Sequence, residues 1–177
     1  MAQYNIIAES QEYTVVAEYD HVATPAEAYQ SEADLEKEFI RLLGEQGYEY
    51  LPIHTETDLI SNLRTRLEKL NHYHFTDSEW EQFFNTCIAN KNDDIVAKTQ
   101  KIQDDYIQVL KRDTGESQNI KLIDKDNIHN NTLQVINQYV EEGGNYDMRY
   151  DVTVLVNGLP LVHIELKRRG RTVERGL

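Results

Sequence analysis

A mixed α/β chain, with helices first and strands after in the α+β manner, is what the 177 residues predict. Two periodicities and one turn carry that reading. Residues 31–102 repeat apolar side chains every three or four positions, the interval that keeps one helix face dry. From Asp105 the interval falls to two, as in half-buried strands. Residues 150–170, YDVTVLVNGLPLVHIELKRRG, then set two short apolar runs around Asn-Gly-Leu-Pro, the composition of a hairpin.

The elements follow in order. After an N-terminal arm (residues 1–30) with a short strand near residues 13–19, YQSEADLEKEFIRLLGEQGYEY reads as a helix. Ser31 can cap it, acids fill its first turn, Leu35, Phe39, Leu42 and Leu43 line one face, and Gly47 can end it. Leu59, Leu63, Leu67 and Leu70 mark a second helix. A third starts at Thr76, where Glu79 stands three places on in the capping-box pattern, and runs through Trp80, Phe83, Phe84 and Ile88. NDDIVAKTQKIQ adds a short fourth; YIQVL, NIKLI and TLQVINQYV are strands before the closing hairpin. With no repeat and no Gly-, Pro- or Ser-rich linker, residues 1–177 read as one domain: arm, mainly helical 31–102, mainly β 103–177.

Composition excludes several classes. Cys87 is the single cysteine, so no disulfide forms within the chain and a reducing, cytoplasmic compartment is expected. No apolar run approaches the roughly 20 residues that cross a bilayer, so no membrane partner is expected. The net charge of −13 opposes nucleic-acid binding by the chain as a whole. Its distribution is uneven: residues 1–100 carry 19 acidic against 7 basic side chains, residues 151–177 carry 3 against 5. The basic end is the hairpin.

That hairpin has a register problem. Val152, Val154 and Val156 alternate with Asp151, Thr153 and Leu155 in its first strand, and Val162, Ile164 and Leu166 alternate with Leu161, His163, Glu165 and Lys167 in its second. Both rows face one core only if paired residue numbers sum to an even number. A two-residue Asn-Gly turn would pair Val156 with Leu159 and turn one row outward, so a longer loop over residues 156–160 is expected, with pairs summing to 316. Asp151 then lies across from Glu165, with Lys167 on the same side. Two carboxylates so placed repel, and a shared divalent cation relieves them. Mg²⁺ takes one or two carboxylates and keeps other positions for water and phosphate, which suits phosphodiester hydrolysis, with Lys167 orienting or deprotonating the water. A cross-strand charge network on a solvated face satisfies the same spacing.

Asp, thirteen residues, Glu, one apolar residue and Lys also resembles the PD-(D/E)XK nuclease superfamily. RYDVTVLVNGLPLVHIELKRRG resembles, more specifically, the nuclease motif of the restriction (R, motor) subunit of type I restriction–modification enzymes. IAES, the first-helix segment, FTDSEWEQF, KTQKIQDDYI, IKLIDKDN and LQVINQYVEEGG are similar to successive segments of that subunit's N-terminal region. The resemblance implies a restriction-endonuclease-like core, a central mixed β-sheet flanked by helices. It implies Asp151, Glu165 and Lys167 as catalytic residues, with Asp151 and Glu165 on Mg²⁺. Glu32 is the expected supporting acid of the first helix, Glu36 its rival. Acids complementing a helix dipole explain either residue equally well.

Further expectations come with it. The substrate is double-stranded DNA, the partners are methyltransferase and specificity subunits, and ATP-driven motor lobes deliver the DNA. The family's Pro before the Asp is Tyr150 here, and neither a P-loop nor a Gln-x-x-x-Tyr after Lys167 occurs. The chain therefore reads as an N-terminal fragment, weakly active or inactive alone. Arg168, Arg169 and Arg171 can hold DNA phosphates. Alternatives are another PD-(D/E)XK repair nuclease or resolvase, and a non-catalytic acidic module that mimics DNA. His72 and His74 lack companions for a zinc site and read as surface histidines.

Overall fold

In the computed structural model, which describes residues 4–9, 15–19, 31–141 and 148–167, local signals set most element ends. Helix α1 (Glu32–Glu45) follows Ser31 and stops at left-handed Gly47, φ 92°. There the Tyr48 amide donates to Leu43 and the Gly47 amide to Gly44, at 3.1 and 3.0 Å, satisfying carbonyls that the helix leaves over. Strand β3 (Glu49–Tyr50), too short to show a period, comes next. Helix α2 (Glu56–Asn71) begins at Thr55, whose hydroxyl accepts from the Asp58 amide, and ends in left-handed His72, φ 50°.

The expected capping box opens α3 (Asp77–Phe83): Thr76 Oγ1 accepts from the Glu79 amide and Glu79 Oε2 from the Thr76 amide, both at 3.1 Å. Beyond Phe83 one π-helical turn, Phe84–Ile88, replaces the α-helix that the spacing predicts. Asp94 caps α4 (Ile95–Gln103). Glu79 is 3% exposed, and it stays ionised because donors surround it. The Tyr73 hydroxyl, at 2.7 Å, is the main reason its carboxyl lies below the usual carboxylate range; the amides of Thr76 and Asp113 and the charge of Arg112 add to it.

The chain divides into two compact units, Met1–Ser31 and Glu32–Leu177. In the first, β1 (Tyr4–Glu9) pairs antiparallel with β2 (Val15–Tyr19), so a second strand joins the one expected. In the second unit, β4 (Ile107–Lys111) and β5 (Ser117–Lys121) form an antiparallel pair. Strands β6 (Leu133–Glu141), β7 (Met148–Val156) and β8 (Leu159–Ile164) complete a four-stranded sheet of order β3-β6-β7-β8. Only β3 and β6 run parallel, so the sheet is mixed, as expected.

Alternate residues of β7 meet different helices. Val152 and Val154 pack with Val135 against Phe39, Ile40 and Leu43 of α1. Leu155, on the other face, packs with Ile136, Tyr139, Ile53 and Leu59 of α2. The β4–β5 pair joins α2 and α3 in a third cluster around Phe75, Trp80, Phe83, Leu110 and Ile120. Thus β7 is buried on both faces, and Thr153 and Leu155 are as fully enclosed as Val152. The expected dry valine face is present, and the opposite face is enclosed as well, because helices cover both sides of the sheet. On β8 and just past it two members of the expected apolar row, Ile164 and Leu166, pack with Val152 and Leu43, while Val162 is 49% exposed, since an edge strand has neighbours on one side only.

Candidate active site

The hairpin turn corrects the predicted loop. Asn157 and Gly158 form a two-residue turn with φ 52° and 83°, and Val156 does pair with Leu159. Farther along, Val154 pairs with Val162, Thr153 with His163 and Val152 with Ile164, all in the even register that sequence requires. A shift between Val154 and Leu155 reconciles the two, because β8 carries one extra residue there. A bulge on an edge strand thus lets the tight turn and the even register coexist.

The turn is held from three sides. Asn157 is 1% exposed; its Oδ1 accepts from the Thr132 amide at 2.8 Å, and its Nδ2 donates to the Leu122 carbonyl and Asn131 Oδ1 at 3.0 and 2.8 Å. A Cβ on Gly158 would lie 2.6 Å from the Leu63 Cα, so the turn rests directly on the α2 backbone. This end fixes where β7 and β8 sit, and hence what meets at their far end.

At that far end four charged side chains share one locality. The even register, continued one residue past Ile164, sets Glu165 across from Asp151. Contact is direct: the Leu166 amide donates to Asp151 Oδ2 at 2.7 Å, orienting a carboxylate that keeps further acceptor capacity. The Lys167 ammonium donates to Glu165. Its pKa lies above the usual lysine value, first through that bond and then through the charges of Glu165, Glu32 and Asp151. Glu32 therefore belongs to this electrostatic group.

Glu36 points elsewhere. Its Oε1 accepts from Asn137 Nδ2 at 2.6 Å and its Oε2 from Gln138 Nε2. Neither amide figures among the sequence-predicted site residues. The available signal is the pair Asn-Gln inside the apolar run VINQYV, where a buried strand has little reason for two adjacent amides. Arg168, Arg169 and Arg171 lie outside the described residues.

The donor set fits a hard divalent cation: Asp151 and Glu165 bring carboxylate oxygens from neighbouring segments beside a lysine already carrying part of their counter-charge. Among the described residues no three His, Cys, Asp or Glu side chains converge into a metal cage. Mg²⁺ asks for none, since one or two carboxylates suffice when water and phosphate complete its shell.

Residues 29–177 match the family described as type I restriction enzyme R protein N terminus (HSDR_N). The chain is 47% identical over 165 residues to the type I restriction enzyme EcoprrI endonuclease subunit of Escherichia coli, covering 93% of this chain and 52% of that protein. It is 40% identical over 147 residues to the SsaAORF53P endonuclease subunit of Staphylococcus saprophyticus, covering 80% of this chain and 15% of the relative. The SauMSSORF170P endonuclease subunit of Staphylococcus aureus is 38% identical over 148 residues, at 81% and 15% coverage. The chain thus spans about half the length of the first of these relatives and much less of the other two. The match across residues 29–177 shows that the chain belongs to the family of type I restriction enzyme R protein N termini.

Proposed function

We propose that residues 1–177 act as the endonuclease domain of a type I restriction enzyme R subunit, hydrolysing phosphodiester bonds of double-stranded DNA with Mg²⁺ in the cytoplasm. The observation that carries this is the meeting of Asp151, Glu165, Lys167 and Glu32 at one end of the β7–β8 hairpin, in a chain of that family.

Asp151 and Glu165 would hold the ion, which when bound polarises the scissile phosphate and lowers the pKa of its water. Lys167, kept protonated by the acids around it, serves as a cation that orients that water and faces the phosphate charge. Glu32 adds negative charge on the side of Lys167 and restrains its ammonium. Arg168, Arg169 and Arg171 follow directly in sequence and are proposed to grip DNA phosphates. With a net charge of −13 the chain relies on partners for DNA affinity. In this reading a specificity subunit with its methyltransferase chooses the site, and an ATP-driven motor moves the DNA.

The test is Mn²⁺ binding to the chain, followed by electron paramagnetic resonance of the free ion, together with plasmid cleavage by the assembled restriction complex. Asp151→Asn and Glu165→Gln are expected to weaken Mn²⁺ binding and Lys167→Ala to abolish cleavage. Mn²⁺ affinity that ignores both carboxylate substitutions would sink the proposal.

A further inference from the structure

Two consecutive side chains of β6, those of Asn137 and Gln138, reach the same carboxylate, that of Glu36 on α1. A regular strand cannot do this, because successive side chains leave it on opposite faces. Gln138 escapes the rule by standing in the left-handed region, φ 54°, which a non-glycine residue adopts under strain. The distortion falls opposite Asp151: the β6–β7 ladder pairs Asn137 with Val152 and Tyr139 with Tyr150 but skips the rung between. The Tyr50 hydroxyl donates to Asn137 Oδ1 at 2.8 Å and so turns the other end of that amide toward Glu36.

We propose that Glu36 is a positioning residue, gripped by Asn137 and Gln138 so that the first turns of α1 are pinned to the distorted rung of β6 and Glu32, one turn earlier, is kept on the side of Lys167. Glu32 precedes Glu36 by one helical turn on the same face, so a fix on one sets the other. What Glu32 serves rests on the nuclease reading above; what Glu36 does rests on hydrogen-bond geometry alone. The two acids of α1 thus work differently, Glu32 through its charge at the site and Glu36 through its two acceptor oxygens.

That difference is testable because an amide can stand in for acceptor oxygens but not for a charge. In Glu36→Gln the carbonyl still accepts from Asn137, and the new NH₂ donates to Gln138 once that amide turns over. Measured on the whole 177-residue chain by Mn²⁺ resonance, Glu36→Ala should weaken binding about tenfold, the scale of outer-shell partners, while Glu36→Gln stays near the unsubstituted chain. Glu32→Gln should match Glu36→Ala, and the double variant should add nothing further. Trp80 fluorescence confirms folding of each variant.

Glu36→Gln as damaging as Glu36→Ala would overturn the proposal, since charge and not hydrogen bonding would then matter. Deuterium exchange gives an arm that needs no metal. Amides early in α1 should exchange faster in Glu36→Ala and not in Glu36→Gln; equal protection in all three chains refutes the pin. If Asp151→Asn leaves Mn²⁺ affinity unchanged, the nuclease reading is what has failed, and exchange alone decides for or against the pin.

Discussion

The two ends of the β7–β8 hairpin are built on opposite principles. At the turn, Asn157 gives its side-chain oxygen and nitrogen to three neighbours, and Gly158 touches the backbone of α2. At the other end the ladder loses a rung at Gln138, and Asp151, Glu165, Lys167 and Glu32 gather unlike and like charges together. One end commits the side chain of Asn157 to geometry; the other gathers the carboxylates and the lysine on which the proposed function rests. A strand pair registered at the turn cannot slip at the other end.

Substitutions at the two ends should therefore fail in different ways. Asp151→Asn should lower cleavage by the assembled complex about 10³-fold, a loss of the size seen when a charged group at the reacting centre is removed, with little change in the urea midpoint of the chain. A large fall in stability together with activity would break the contrast. Gly158→Ala should do the reverse. It puts a side chain at positive φ and against Leu63 Cα, and should destabilise by about 3 kcal/mol in urea titration, while the folded fraction keeps its Mn²⁺ affinity. Asn157→Ala should cost about 2 kcal/mol, because three hydrogen bonds of a buried side chain are lost, with the same retention of metal affinity.

The smallest effect sharpens the contrast from outside the hairpin. Glu79 has its pKa lowered in the folded state, so its contribution is complete above the ordinary carboxylate value of about 4.3 and disappears as pH falls through the folded value. Glu79→Gln should flatten that acid limb, read as a smaller difference between urea midpoints at neutral and at acid pH. An unchanged limb would show that the Tyr73–Thr76–Asp113 network does not keep this buried carboxylate charged.

Local signals were legible wherever one residue acts on its near neighbours. Thr76 and Glu79 announce a capping box, Gly47 a helix end, and the leucines of α2 a buried stripe, because each needs only the next turn of chain. The even register was legible too, and with it the approach of Asp151 to Glu165. The longer loop expected from it was wrong because periodicity counts residues on a face and cannot see where a bulge inserts one. Strand β3 escaped notice for a related reason: two residues make no pattern, and a parallel partner far along the chain defines them.

By itself, then, the sequence determined the helical and β halves, the hairpin, and the residue types that could hold a divalent cation, since these follow from spacing and side-chain chemistry along one stretch. Only the tertiary structure decided that β7 is covered on both faces, that Asn157 is buried in a polar lock, and that Glu32 and Glu36 part company. Those outcomes depend on which surfaces α1 and α2 present to the sheet and on a left-handed residue 102 positions from the acid it grips. Pairings of that range leave no periodic trace, because their partners are chosen by packing and not by neighbours in the chain.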